Sequence, residues 1–399
     1  MQSSLPTQGQ FMLAGQKHAW LRCKTLKSCR FAASLCWGKG GYSLMQITKA
    51  EVIPVELKLQ NPVRMASISS DIQSVTAIFI RLETQKGQSA WGCTVAHPDL
   101  TGFTPEEIIQ TCRDCAEVVK DLHPTNIEFS LAELERCSKG QRPALCAYDL
   151  AFHDLLGLAS GLPLYRLLGG FRDRIQTSIT VPVLPVKESV ECAEENTKNG
   201  FRMLKIKGGL DPDDDVHRVR AIHRALPNII LRLDADGGYT VEGAIEVARA
   251  LDGLLEMLEQ PTPADDMEGL LQVTRNSPIP VLADQSVTGP DTALYVAANH
   301  ISSGLSIKVA TCGGIRCASE ANTIARAAGM FTMISCLIEP ALLVSAGLSL
   351  ALSSPNVRYG DLDGHLNLTG DPSLPGFVLQ DGWLIASEVP GLGGNVQLG

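Results

Sequence analysis

From Ile175 to Gly364 the chain alternates short apolar runs with helical patterns, and this alternation restricts the fold more than any other feature of its 399 residues. Strands are predicted at Gln176–Val181, Met203–Lys207, Ile230–Asp234, Leu255–Glu259, Pro280–Ala283, Leu305–Lys308, Phe331–Ser335 and Val357–Gly360. From the second onward their starts are roughly 25 residues apart, room for one returning helix each. Asp214–Ala225 and Val241–Leu251 carry the helical spacing. Eight parallel strands with crossover helices close into an α/β barrel of the TIM type.

The chain before the barrel reads differently. ITKAEVIPVELKL and VTAIFIRLET are β-rich and flank a polar stretch from Gln60 to Ser74, which predicts two strands and a loop. A helix follows over Thr104–Leu122, with Pro105 early and Glu106 and Glu107 in its first turn. Ala144–Leu158 is apolar around much of its circumference and reads as a helix packed between layers. Residues 45–174 are therefore expected to form a small α+β unit and 175–364 the barrel. The tail, 365–399, contains FVLQDGWLIA and is expected to return to the first unit.

Composition excludes several functions. The formal net charge is −9, which argues against a nucleic-acid partner. No apolar run reaches the roughly 18 residues that a bilayer-spanning helix needs; Pro340–Pro355 is interrupted by Ser and Gly and reads as a buried helix. Of twelve cysteines, only Cys112 and Cys115 form a CxxC, and it lies in a helical pattern without a second pair, so structural zinc is not expected. Seven of the 34 basic residues precede Glu51, the first acidic residue. Residues 1–44 thus read either as an organellar transit peptide or as an extension preceding Met45. Cytoplasm is the default compartment, and an organelle the expectation if the leader is a transit peptide.

The C-terminal strand ends, where such barrels build their sites, carry the informative residues. Strand two ends in Lys205-Ile206-Lys207, strand three in Asp234, strand four in Glu259, strand five in Asp284, strand six in Lys308, and strand eight runs into Asp361-Leu362-Asp363. In a ring of eight, strands two and six are half a turn apart, so Lys207 and Lys308 face each other. Asp234, Glu259 and Asp284 form one arc of oxygen donors suited to Mg²⁺. Asp361 and Asp363 lie opposite them, placed for a cationic group of a substrate, or simply to cap a loop. Thr180, near the end of strand one, either touches substrate or packs.

These residues define a chemistry. Removing a proton α to a carboxylate creates an enediolate, whose charge a divalent cation stabilises. A lysine acting as base must lose its proton near operating pH. Lys205, on the same strand face as Lys207, is expected together with the metal to depress it in that direction. Lysines on both faces allow a proton to be taken from one side and returned from the other, which is racemisation or epimerisation.

The KxK of Lys205 and Lys207, the carboxylates Asp234, Glu259 and Asp284, and Lys308 before Gly313-Gly314 together resemble the enolase superfamily, in its muconate-lactonising subgroup, from about Met45 to the end. The resemblance implies a modified (β/α)7β barrel with an α+β capping domain, completed by the C-terminal tail, and a homo-oligomer. Within the subgroup, Asp361-Leu362-Asp363 resembles the DxD with which dipeptide epimerases hold a substrate α-ammonium, and L-Ala-L/D-Glu-type peptides are the implied substrates. A cycloisomerase or o-succinylbenzoate synthase-type lyase using the same lysines, and a non-catalytic barrel, are the alternatives. The chain departs from the usual pattern at four places. Asp234-Ala235-Asp236 stands where Asp-Ala-Asn is common, and Gln285 follows Asp284 where Glu is usual. Cys93 follows Trp91-Gly92 where a glutamate is frequent, and strand seven ends Cys336-Leu337-Ile338-Glu339.

Overall fold

The structure, a computed structural model, describes residues 45–397, so the leader lies outside the described residues. Three antiparallel strands open it: β1 (Ile47–Val63), β2 (Ile72–Thr84) and β3 (Ser89–Ala96). β1 is longer than predicted and takes in Gln60–Val63. Against this sheet pack helices Pro105–Val119, Ile127–Ser138 and Arg142–Ser160. The first is closed by a capping box, in which the Glu107 N–H donates to Thr104 and the Thr104 N–H to Glu107. Fourteen residues of the third are buried, as its apolar circumference predicts. The second has no clear signal in the sequence: its Asn126 cap makes no side-chain hydrogen bond, and it mixes charged and apolar residues.

The predicted first barrel strand is two strands. β4 (Arg174–Gln176) leaves the barrel to pair with the hairpin Phe377–Gln380/Trp383–Ala386, and β5 (Ile179–Val181) begins the parallel sheet. β6 (Met203–Lys207), β7 (Ile230–Asp234), β8 (Leu255–Glu259), β9 (Val281–Ala283), β10 (Gly304–Lys308), β11 (Phe331–Ser335) and β12 (Val357–Asp361) follow in unbroken spatial order. A parallel bridge between Thr177 and Gly360 closes the ring. The tail divides: Leu368–Thr369 extends the β1–β3 sheet by pairing with β1, whereas the hairpin pairs with β4. Ala341–Ser353 is the buried helix expected between Pro340 and Pro355, every residue through Leu352 being buried. No described helix is long and apolar enough to cross a membrane.

Two buried carboxylates tie the layers together. Asp149, on helix Arg142–Ser160, accepts from the N–H groups of Ile315 (2.7 Å) and Arg316, capping helix Ile315–Ala327. Asp154, one turn on, accepts from the Trp91 N–H (2.9 Å) and the Leu392 N–H (2.8 Å), joining β3 to the tail.

Candidate active site

Alternation along β6 sends Leu204 and Ile206 outward into the helix layer and Lys205 and Lys207 inward. Register then sets the neighbours: Lys207 lies beside Asp234, Asp234 beside Glu259, and Ser335 beside both Lys308 and Asp361. β6 and β10 are four strands apart in the closed ring of eight, so Lys207 and Lys308 stand on opposite sides of the mouth. Both line one cavity of about 610 Å³, together with Lys205, Asp234, Asp236, Asp284, Asp361, Asp363 and Thr180.

Each ammonium is held by carboxylates. Lys205 Nζ is 2.8 Å from Asp234, 2.9 Å from Glu259 and 2.7 Å from Asp361. Lys207 Nζ is 2.8 Å from Asp234 and 3.0 Å from Asp236. Lys308 donates to Asp284. Asp361 also accepts from Ser178 Oγ at 2.6 Å, so its carboxylate is engaged with groups inside the barrel. Asp363 accepts from the Thr180 N–H at 2.7 Å, which locates Thr180 beside the expected cation-binding carboxylate through its backbone.

This packing alters the proton affinities. Burial opposes the Lys207 charge, but Asp234 and Asp236 outweigh burial and hold the ammonium above the usual lysine value. Lys205 pushes in the lowering direction, as the sequence predicts, and is outweighed. The expected depression rests on Lys205 and the metal together; among the protein's own groups Asp234 and then Asp236 act against it, and Asp236 is a carboxylate that strand-face reasoning does not place. Burial raises Glu259 to about 7 and, with Asp361 adding to it, Asp363 to about 6. Asp236 is raised to about 6, by burial and by Asp234.

Asp236 is the main residue that a strand-end reading misses. It follows β7 in a left-handed conformation (φ 47°), which folds its side chain back onto Lys207. Gln285 Nε2 donates to Asp236 Oδ1 at 3.1 Å. Two of the four departures noted in the sequence thus meet in one hydrogen bond, with acid and amide exchanged between the positions. Beneath Lys207, Arg218 donates to its carbonyl oxygen and pairs with Asp215, which also accepts from the Gly209 N–H and from Tyr239. Gly209 is required there: φ is +93°, and a Cβ would strike the Ala235 carbonyl.

The donor chemistry of Asp234, Glu259 and Asp284 fits a hard divalent cation, since three carboxylates lie on adjacent strands. Glu259 Oε1 is buried without a hydrogen-bond partner, an oxygen available to a metal. The trio is not gathered around one point: among the described residues no three Cys, His, Asp or Glu side chains form a group able to hold an ion. Lysine ammonium groups supply the counter-charge: Asp234 and Glu259 share Lys205, whereas Asp284 is paired with Lys308. Cys112 and Cys115 are free and buried, consistent with small core residues.

Known proteins match this architecture throughout. The mandelate racemase/muconate lactonizing enzyme N-terminal domain family matches residues 47–169, and the enolase C-terminal domain-like family matches residues 188–398. The chain belongs to the enolase superfamily. It is 34% identical over 353 residues to the L-Lys-D/L-Arg epimerase of Desulforapulum autotrophicum, covering 88% of this chain and 99% of that protein. Identity to the L-Ala-D/L-Glu epimerase of Clostridium acetobutylicum is 32% over 344 residues, covering 85% and 96%. The crystal structure of the dipeptide epimerase from Enterococcus faecalis, complexed with Mg and L-Leu-L-Tyr, superposes with a TM-score of 0.85 at 32% identity, covering 88% of this chain and 100% of that one.

Proposed function

We propose that this protein epimerises dipeptides by 1,1-proton transfer between Lys207 and Lys308. The observation carrying the proposal is the placement of these two lysines four strands apart around one cavity, with carboxylates at the intervening strand ends. A substrate α-carbon between them exposes its proton to one lysine and its opposite face to the other. One lysine accepts the proton, the other donates to the reverse face, and the configuration inverts.

Asp234, Glu259 and Asp284 are the proposed ligands of Mg²⁺. When bound, the cation supplies charge stabilisation for the enediolate. Lys205, buried between Asp234, Glu259 and Asp361, fixes those carboxylates and adds positive charge behind the reacting centre. Asp363, with Asp361 behind it, is the proposed anchor for the substrate α-ammonium, and Thr180 positions Asp363. The Arg218–Asp215–Tyr239 set holds the turn after Lys207, so its ammonium enters the cavity from a fixed strand end.

The test is incubation with Mg²⁺ and L,L-dipeptides in D₂O, read by NMR, with L-Ala-L-Glu as the reference peptide. Deuterium should enter at the second residue's α-carbon as the L,D-peptide forms. EDTA should abolish both, and Lys207→Ala and Lys308→Ala should each block net inversion. Rearrangement of muconate or succinylbenzoate precursors without dipeptide exchange would replace this reading by the lyase one.

A further inference from the structure

The cavity that holds the two lysines also carries evidence about the substrate's side chain. Part of its lining is aliphatic: Val63, Met65 and Leu100 of the capping unit, and Val287, Leu337 and Ile338 of the barrel loops. All but Val63 belong to, or pack against, the hydrophobic core, and Val63 is half-buried at the end of β1, so the wall is seated.

Charge is the second observation. Among the described residues, the cations lining the cavity are Lys205, Lys207 and Lys308, and each is already in contact with at least one carboxylate. No described arginine lines it. Arg64, between the wall residues Val63 and Met65, reaches instead toward Asp71 at 3.6 Å, and both side chains are exposed. The described lining acids that contact no lysine are Asp99 and Asp363, both carboxyl groups. A substrate side chain ending in a carboxylate would find amides such as Asn61 and Asn367 on the lining, but among the described residues no cation free of carboxylate contacts to pair it. A long aliphatic chain would find a surface of its own chemistry.

We propose that the site selects dipeptides whose epimerised residue bears a long aliphatic side chain, and discriminates against an acidic one. The proposal rests on the epimerase reading and refines it, because it moves the preferred substrate away from the L-Ala-L/D-Glu pair expected from the sequence resemblance. Val63, Met65, Leu100, Val287, Leu337 and Ile338 are the specificity-determining residues. A single cation introduced into this wall should reverse the preference.

The experiment compares L-Ala-L-Leu, L-Ala-L-Met and L-Ala-L-Glu with the full chain and Mg²⁺, by α-proton exchange in D₂O. Binding of the same peptides to the Lys308→Ala protein is followed in parallel by calorimetry. The Leu and Met peptides should exceed the Glu peptide in kcat/KM by on the order of 100-fold, the scale for a mismatch in a hydrophobic pocket. They should also bind more tightly to Lys308→Ala. Ile338→Arg should narrow or invert both ratios. Equal or faster turnover of the Glu peptide overturns the side-chain preference and leaves epimerisation standing. No exchange with any peptide, but tighter binding of Leu and Met, overturns epimerisation and retains the preference. Neither exchange nor binding overturns both.

Discussion

Replacing Gln285 by Glu should damage the site severely, and replacing Asp236 by Asn in the same chain should repair it. Gln285 Nε2 donates to Asp236 Oδ1 at 3.1 Å, and Asp236 in turn holds Lys207 at 3.0 Å. Gln285→Glu turns the donor into an acceptor and sets two carboxylates in contact. Like charges about 4 Å apart at an effective dielectric near 20 repel by about 4 kcal/mol, equivalent to a proton-affinity shift of about three units. One carboxylate must then take a proton, or Asp236 must turn away, and in either case Lys207 loses its partner geometry. In the double variant the amide introduced at position 236 can donate to the carboxylate introduced at position 285, so the hydrogen bond re-forms with its direction reversed. The assay is a four-member cycle (wild type, both single variants and the double variant) followed by urea unfolding and by exchange from each epimer separately. Gln285→Glu should lose about 1–3 kcal/mol of stability, and most of that should return in the double variant, for a coupling energy of about 1–3 kcal/mol. Exchange of the epimer deprotonated by Lys207 should fall further than exchange of the other. Additive losses, or a double variant worse than either single one, would refute the claim that the two residues act as one pair.

Other outcomes follow from the same geometry. Lys207→Ala should retain slow exchange from the epimer whose proton faces Lys308, and Lys308→Ala from the opposite epimer; identical residual exchange in both would contradict opposed lysines. Glu339 is buried, and that burial raises its carboxyl to about 8, against opposing contributions from the Leu337 N–H and Lys308. Because its folded affinity for a proton exceeds its unfolded one, stability is greatest below the unfolded value and falls as pH rises toward 8; thermal melts of Glu339→Gln should gain on wild type between pH 6 and 9, on the order of 2 kcal/mol. Asp149→Ala removes a cap shared by Ile315 and Arg316 and should lower stability by about 1–3 kcal/mol in urea titrations. Gly209→Ala should unfold readily or lose activity, since its Cβ would meet the Ala235 carbonyl in a backbone conformation that alanine resists.

The barrel is readable in the sequence because each parallel strand is a short apolar run closed by a polar residue, and the ring order of those polar residues follows from chain order alone. Lys207, Asp234, Glu259 and Lys308 all stand at strand ends, where β6, β7, β8 and β10 stop. The first barrel strand is misread because Gln176 and Ile179 fall in one strand-like run, whereas one pairs with the tail and the other with β6. Nothing in a local pattern distinguishes those partners. Asp236 escapes for a related reason: it lies beyond its strand, and only the left-handed turn at φ 47° brings it to Lys207. Its contact with Gln285 spans 49 positions and depends on two loops meeting.

Asp361 teaches the same point in the opposite direction. Its position opposite the carboxylate arc is legible, but its nearest cation is Lys205, at 2.7 Å. Two oppositely charged groups pointing inward from strands two apart in the ring, β6 and β12, will pair across the interior if their reach allows, before either meets a ligand. Strand order therefore predicts which residues share the mouth, while side-chain length and loop conformation decide which of them remain free to bind. On that reasoning Asp363, two residues further along and raised to about 6 by burial and by Asp361, is the member of the pair that lines the cavity without a lysine partner. Asp363→Asn should therefore raise KM for a dipeptide more than it lowers kcat, whereas Asp361→Asn, by releasing Lys205 from one of its three carboxylates, should lower kcat. The reverse pattern would assign the substrate's ammonium to Asp361.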